Sequence, residues 1–240
     1  NTISHNTVVV NEKKQNQNAY AHTPLHFDNG GNVKLMDIDA QTAYDETDIY
    51  RRTVVMVKLS EDISYGVDFF RIKGGNDHIY SFHSQSDEVS VSGVNLVAQG
   101  AGTYAGEDVE WGDESDEYAN GFSWLGNVRR DSNPQTGTFT ADFKVKDFRN
   151  TLRNKKDIHL AITMLNDFEL SEVTVAEGTP PRVKDNIKML EYVLARRKGE
   201  NLDSLFTTVI EPYSENSLIS NKETVGITAV SGSEGLDDTA

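Results

Sequence analysis

The feature that most constrains the fold of this chain is a series of short β-branched and aromatic runs. Turn residues such as Gly, Asn, Asp and Ser separate these runs at intervals of about 8–15 positions, the spacing typical of strands in a sandwich. The runs occupy residues 7–10, 52–59, 65–72, 78–83, 91–97, 137–145, 159–165 and 204–210. The pattern predicts an all-β protein, a large antiparallel β-sandwich with little helix.

One segment, residues 185–197, fits two kinds of secondary structure. Ile187, Leu190, Val193 and Leu194 fall on one stripe of a helix, and a stripe of this spacing is the usual helical signal. Residues 192–196 also form a plausible buried strand. We predict a strand here, in keeping with the rest of the chain.

The length and composition indicate one globular unit. The chain has 240 residues, of which 37% are hydrophobic and 25% charged, a balance that can bury a substantial core. We assign residues 1–230 to one β-sandwich domain and residues 231–240, rich in Ser, Gly and Asp, to a flexible tail or linker. A strand-like run directly after an N-terminus without methionine is expected for a piece of a longer protein, although removal of a leader would look similar.

The charge balance limits the classes of partner. Asp and Glu number 38 against 23 Lys and Arg, and the formal net charge is −15. This sign disfavours nucleic acid and anionic membrane surfaces. It also disfavours a polyanionic sugar, unless a local basic site outweighs charges that salt screens within about 10 Å. No run of 18 apolar residues is present, so the sequence predicts no membrane span.

Candidate metal ligands are restricted because cysteine is absent, which excludes disulfides and thiolate metal sites. The histidines are His5, His22, His26, His78, His83 and His159. Pro24 separates His22 from His26 and disfavours a helical metal pair, so we place both in a loop. His78 and His83 are five residues apart on one strand and should point to opposite faces. His159 lies in an apolar run and is expected to be a hydrogen-bonded core residue.

Other side chains have both a structural and a functional interpretation. Arg51 and Arg52 are adjacent on a strand, so one should face solvent and the other a partner; guanidinium forks suit sugar uronates, although pairing with Asp or Glu is more common. Trp111, Tyr118 and Trp124 could stack on a sugar or pack internally. The acidic residues within 106–117 predict a solvated loop, with a calcium loop as the alternative.

Motifs of complete hydrolases, metalloproteases and nucleotide enzymes are absent from the sequence. Several segments together resemble heparinase II/III-like polysaccharide lyases. They are Ser-His-Asn-Thr-Val-Val-Val at residues 4–10, Thr-Asp-Ile-Tyr-Arg-Arg-Thr at 47–53, the hairpin formed by 67–75 and 80–83, and the closing segments 192–197 and 206–213. Each is weak alone, but their order and spacing extend the resemblance from about residue 4 to about residue 215.

This resemblance implies the back half of an enzyme. Such lyases join an N-terminal helical toroid to a large β-sandwich, and they cleave uronic-acid polysaccharides such as heparin, heparan sulfate or alginate by β-elimination. The toroid supplies most of the proton transfer, so no catalytic residue is assigned here and the isolated chain is expected to be inactive. The resemblance also implies a structural zinc ion with two histidines and one aspartate as ligands, of which His5 matches one and the others are missing.

The expected partners are therefore an acidic polysaccharide and the toroid of the same protein, in a secreted or cell-surface location. We take Arg51, Arg52 and His83 as candidate substrate-binding residues. The alternatives are a non-catalytic carbohydrate-binding or scaffolding module, and an adhesion sandwich without a sugar site. An upstream helical region carrying Tyr and His-x-His elements would favour the lyase.

Overall fold

The computed structural model describes residues 1–115, 120–152, 156–180 and 187–223. Within these ranges the chain forms antiparallel strands and a few one-turn 3-10 helices. The strands are β1 (Thr7–Val10), β2 (His26–Asp28), β3 (Val33–Asp39), β4 (Ile49–Lys58), β5 (Ser64–Lys73), β6 (Asp77–His83), β7 (Val89–Ser92), β8 (Val97–Ala98), β9 (Leu125–Asp131), β10 (Thr138–Lys144), β11 (Ile158–Leu165), β12 (Glu172–Gly178), β13 (Leu190–Lys198) and β14 (Asp203–Ser214). The 3-10 helices are Thr2–Ser4, Gln41–Ala43 and Phe122–Trp124.

The strands form two sheets, and all the pairings within them are antiparallel. The six-stranded sheet has the order β1-β6-β13-β12-β9-β8, and the eight-stranded sheet has the order β2-β3-β4-β5-β14-β11-β10-β7. Alternate side chains of both sheets meet in one apolar core, with Tyr80 and Phe82 on one side and Phe70, Ile162 and Phe206 on the other. The predicted antiparallel β-sandwich is confirmed.

The six-stranded sheet is buried on both faces. The alternate side chains Val9, Ile79 and Leu194 point away from the sandwich core and form a second apolar cluster with Tyr104 and Phe122. The second cluster is possible because the described residues of the segment that precedes β9, 99–115 and 120–124, pack across the outer face of this sheet. Strands covered on both faces have continuous apolar sequences without alternation. This explains why the sequence at 185–197 also fitted a helix. The described part of that segment contains strand β13, as predicted.

Some strand predictions need correction. The run predicted at 91–97 is two strands in different sheets, because Gly93 adopts a left-handed φ of 92° and turns the chain between them. His26 begins strand β2 rather than lying in a loop, although it is exposed. The sequence reasoning also missed β3, β9 and β12. The tail at 231–240, Tyr118 and the end of the acidic stretch lie outside the described residues.

Candidate functional site

The candidate site is built at the entrance to β1, where Asn6 joins β1 to the end of β6. The amide Nδ2 of Asn6 donates to the carbonyl oxygen of His83 at 3.1 Å, and its Oδ1 accepts from the His83 backbone N–H at 2.9 Å. The side chain of Asn6 thus completes the hydrogen bonds at the end of β6, just before β1 begins. His5, the preceding residue, is exposed.

The His83 imidazole is partly buried beside His5. Its ring stacks on Tyr192 with centroids 4.7 Å apart and an interplanar angle of 28°. Its Nδ1 is buried and has no hydrogen-bond partner among the residues the structure describes. Burial is the main cause that lowers the pKa of His83, and the electrostatic effect of the neighbouring His5 is the second cause. The described protein therefore leaves the Nδ1 of His83 without a partner and shields it from solvent, and an unpaired imidazole nitrogen can accept or donate one hydrogen bond.

Arg52 supports this site from the inner face of β4. Its Nε and Nη2 each donate to the Asp68 carboxylate at 2.8 Å, and its Nη1 donates to the backbone oxygen of Asn6 at 2.9 Å. The Asp68 side chain is fully buried and also accepts from the Tyr80 hydroxyl at 2.9 Å. The guanidinium of Arg52 is thus held by the protein and fixes the backbone next to His5.

Arg51 lies on the opposite face of β4, as alternation along a strand requires. Its Nε donates to Asp37 at 2.9 Å, and the hydroxyl of Thr53 donates to the same carboxylate at 2.9 Å. The hydrogen bond from Arg51 is the main reason that the pKa of Asp37 is lowered. The structure therefore brings His5, His83 and Arg52 together through Asn6, whereas Arg51 lies apart from them. Substrate binding by Arg51, Arg52 and His83 stays a prediction.

The residues described do not assemble a complete zinc site. A tetrahedral zinc needs three or four His, Cys, Asp or Glu ligands. Over the described parts of the chain, no group of three or more such side chains is placed to hold a metal ion. His5 lies beside one other histidine, His83, and these two are fewer than the three or four ligands that a zinc site needs. The role of His5 as one ligand of a zinc site stays a prediction.

The remaining histidines are engaged elsewhere. His78 and His83 do lie on opposite faces of β6: His78 is buried between the sheets, with Nδ1 2.9 Å from Ser204 Oγ and Nε2 2.8 Å from the Gly74 carbonyl oxygen. His159 is hydrogen-bonded as expected, but it lies on the outer face of the eight-stranded sheet and not in the core. Its Nδ1 is 3.0 Å from Asp142 Oδ2, and its ring stacks on Tyr213.

Neither tryptophan lies in the core. Trp111 and Trp124 pack edge to face with centroids 5.9 Å apart, and both are more than one-third exposed. The acidic residues Glu107, Asp108 and Glu110 next to them are exposed, as predicted for a solvated loop.

The sequence reasoning missed a polar cavity under the segment that precedes β9, lined by Tyr104, Arg130 and Arg196 among others. These residues are far apart in sequence and carry no local motif, so no sequence signal pointed to the cavity. Among the helices of the described chain, none has the length and apolar character needed to cross a membrane.

The architecture of this chain is similar to part of several solved structures. No family model matches the sequence, and no curated protein matches it. Among solved structures, the heparan sulfate lyase HepC from Pedobacter heparinus matches 89% of this chain at 15% identity, with a TM-score of 0.50. A heparinase III gene product matches the same share at 13% identity, with a TM-score of 0.54. The chain spans about a quarter, 24%, of each of these structures. The chain therefore has a heparinase-like β-sandwich fold.

Proposed function

We propose that this chain is the β-sandwich module of a polysaccharide lyase that cleaves a uronic-acid polysaccharide of the heparin, heparan sulfate or alginate type by β-elimination. The observation that carries the proposal is the pattern of coverage. The likeness to HepC takes in 89% of this chain and only 24% of the lyase, which is the relation expected between one module and a larger enzyme.

The elimination has three chemical needs. The uronate carboxylate must be neutralised, the proton at C5 removed, and the glycosidic oxygen at C4 protonated. Proton transfer requires positioned acid and base groups. We assign the main acid and base to a helical domain outside this chain and expect the chain alone to be inactive.

The contribution of this module is to line the cleft at the β1 entrance. His83, which is partly exposed, would contact a hydroxyl or carboxylate oxygen of the sugar. A hydrogen bond from its Nδ1 would require the ring to turn, because that atom is buried and without a partner in the described protein. Arg52 would act as a positioning residue, since its guanidinium holds the Asn6 carbonyl and, through it, the backbone that carries His5. Arg51, on the other face of β4, would contact sugar only outside this cleft.

The partners and location follow from the same proposal. An acidic polysaccharide is the substrate, the helical domain packs against the sandwich, and the protein acts outside the cell or on its surface. His5 would supply one ligand to a zinc ion whose other ligands come from outside this chain. The net charge of −15 does not favour a heavily sulfated substrate, so the positive potential that such a substrate needs would have to come from the helical domain.

The second candidate is a carbohydrate-binding or scaffolding module without catalysis. The observation in its favour is that both arginine forks at β4 are already held by Asp37 and Asp68, so neither is a free uronate clamp. The two candidates differ in whether the complete product of the gene cleaves polysaccharide or only binds it.

The test measures cleavage by the complete gene product carrying single substitutions in this module. Unsaturated uronate ends absorb ultraviolet light, so the rise in absorbance reports elimination directly. We expect His83→Ala to lower the rate at least about ten-fold, the effect of losing roughly 1.4 kcal/mol of transition-state stabilisation. His22→Ala, which changes an exposed histidine outside the site, is the matched control. A His83→Ala enzyme with the wild-type rate would show that His83 does not contribute to the cleft.

A further inference from the structure

A polar cavity of about 500 Å³ lies between the outer face of the six-stranded sheet and the segment that precedes β9. Its lining includes the side chains of Gln99, Tyr104, Arg130 and Arg196. The volume is within the range of sites that take a small organic ligand. The cavity is separate from the β1 entrance, because Asp77, which binds Arg196, is at the opposite end of β6 from His83, roughly 20 Å away at the rise of a strand.

Arg196 forms one fixed wall of the cavity. Its Nε donates to Asp77 Oδ1 at 2.9 Å, and its Nη2 is hydrogen-bonded to both Asp77 and Glu12. The side chain of Arg196 is only 10% exposed. A guanidinium held by two carboxylates is rigid, and its single positive charge is more than neutralised by them, so Arg196 offers no free positive charge to a ligand.

Arg130 also lines the cavity. Its Nη1 donates to Glu172 at 3.2 Å, and its Nη2 donates to Gln99 Oε1 at 2.6 Å. The orientation of the Gln99 amide is set, since its Nε2 donates to the carbonyl oxygens of Ala101 and Thr103. The Nε of Arg130 is buried and has no hydrogen-bond partner among the described residues.

Tyr104 supplies the observation that points to a ligand. Tyr104 is 4% exposed, and its hydroxyl is buried without a hydrogen-bond partner in the described chain. Leaving such a group unpaired costs stability. Its ring lies 5.5 Å from the Arg130 guanidinium, so the unpaired hydroxyl belongs to a side chain that is packed against the charged network.

The charges identify the class of ligand. The two positive charges of Arg130 and Arg196 are outnumbered by four carboxylates. Glu12 and Glu107 line the cavity, and Asp77 and Glu172 bind the two guanidiniums. An anionic ligand such as a uronate or a sulfate would meet this excess of negative charge. The polar groups left without a partner, a tyrosine hydroxyl and an N–H, are instead matched by hydroxyl groups, which both donate and accept.

We propose that this cavity binds a neutral pyranose residue, with its hydroxyls on Tyr104, Gln99 and Arg130 and its apolar C–H surface against Tyr104 and Phe122. The site is a second saccharide-binding site, and it does not depend on whether the protein is a lyase. In a polysaccharide that alternates uronate with a neutral sugar, it would hold a neutral unit away from the place of cleavage.

The test is a calorimetric or NMR titration of the chain with two neutral disaccharides, cellobiose and N,N′-diacetylchitobiose, and with an anionic disaccharide of glucuronate and N-acetylglucosamine. We expect binding of a neutral disaccharide, with shifts in the resonances of Gln99 and Arg130. Tyr104→Phe should weaken that binding about ten-fold, and its melting temperature should be equal to or above the wild-type value, because the lost hydroxyl has no partner in the free protein. Tyr20→Phe, which removes a hydroxyl from an exposed tyrosine elsewhere, should change neither.

Three results would overturn the proposal. They are the absence of binding of either neutral disaccharide at millimolar concentration, tighter binding of the anionic disaccharide, and unchanged affinity in Tyr104→Phe. Arg130→Lys keeps the charge and loses the fork that binds Glu172 and Gln99, so it should also weaken binding. Equal affinity in a folded Arg130→Lys variant would contradict the role of Arg130 in binding the sugar.

Discussion

The carboxamide of Asn6 pairs with both backbone groups of His83, accepting from its N–H at 2.9 Å and donating to its carbonyl oxygen at 3.1 Å. The side chain thereby makes the two hydrogen bonds that the backbone of a further β1 residue would make to β6. The pairing holds His5 and His83 next to each other, and the amide makes both bonds at once because its acceptor oxygen and its donor N–H are on separate atoms.

Replacing Asn6 tests this arrangement. Asn6→Ala should lower the free energy of unfolding by roughly 1–3 kcal/mol, because two partly buried backbone groups lose their partner. Asn6→Asp should also be destabilising, since a carboxylate cannot donate to the His83 carbonyl. Urea denaturation gives the values, with Asn18→Ala at an exposed position as control. An Asn6→Ala variant as stable as the control would show that the pairing contributes nothing.

Breaking the ion pair of Arg52 and Asp68 should cost more stability than breaking the pair of Arg51 and Asp37. The Asp68 side chain is fully buried, and removing one partner of such a pair typically costs about 3–5 kcal/mol because the other charge is left unpaired. Arg52→Met should show a loss of this size, and Arg52→Met with Asp68→Leu should recover part of it.

Arg51 is the matched comparison because it occupies the same strand and also binds a carboxylate. Arg51→Met should cost less, on the order of 1–2 kcal/mol, because the Asp37 side chain on the outer face of the sheet keeps a little contact with solvent, whereas the Asp68 side chain has none. Equal losses in Arg51→Met and Arg52→Met, measured by denaturant titration, would contradict the difference in environment inferred from the structure.

His78 should make the protein less stable in mild acid. Burial is the main cause that lowers the pKa of His78 from 6.5 to about 4. Below pH 6.5 the unfolded chain binds a proton that the folded chain does not, so stability present above pH 6.5 is lost as the pH falls toward 4. The loss from this residue should reach at most about 3 kcal/mol.

A non-titrating substitution isolates this effect from the carboxylates that titrate in the same range. The Gly74 carbonyl can only accept, so Nε2 of His78 carries the proton and Nδ1 accepts from Ser204. His78→Gln should be less stable than wild type at pH 7 and should show a flatter decline between pH 6.5 and 4. Parallel stability profiles for the two proteins would refute the assignment.

Zinc binding by this chain should be weak. His5 is the one residue that the heparinase resemblance assigns as a ligand, and the described residues provide no group of three that could hold a metal. Calorimetric titration with zinc should give a dissociation constant far above that of a structural site, and an unchanged melting temperature. Tight stoichiometric binding that raises the melting temperature would mean that this chain holds a full set of ligands.

The strands could be predicted because their signals are local. Alternation along 65–72 and 78–83 reflects one buried face, and the structure contains β5 and β6 there. β13 was harder, because residues buried on both faces of a sheet lose the alternation that separates a strand from a helix. The two strands within 89–98 were merged, since Gly93 is a single residue in an otherwise β-prone run.

The site could be predicted only in part, because its contacts join distant segments. Adjacent Arg51 and Arg52 were expected on opposite faces, and they are, but nothing local indicates that their partners are Asp37 and Asp68. The cavity under Tyr104 combines residues from positions 12 to 196. Such a set becomes visible only when the strands are paired.

The central claim is that this module belongs to an enzyme that cleaves by elimination, and mass spectrometry of the digestion products tests it most directly. The complete gene product should be incubated with heparan sulfate, hyaluronan and alginate, beside the isolated chain. The account predicts that the complete protein releases fragments of at least one polysaccharide with an unsaturated uronate end, each lighter by one water than a hydrolysis product, and that the isolated chain releases none. Hydrolytic fragments, or intact polysaccharide after incubation with a folded complete protein, would contradict the claim.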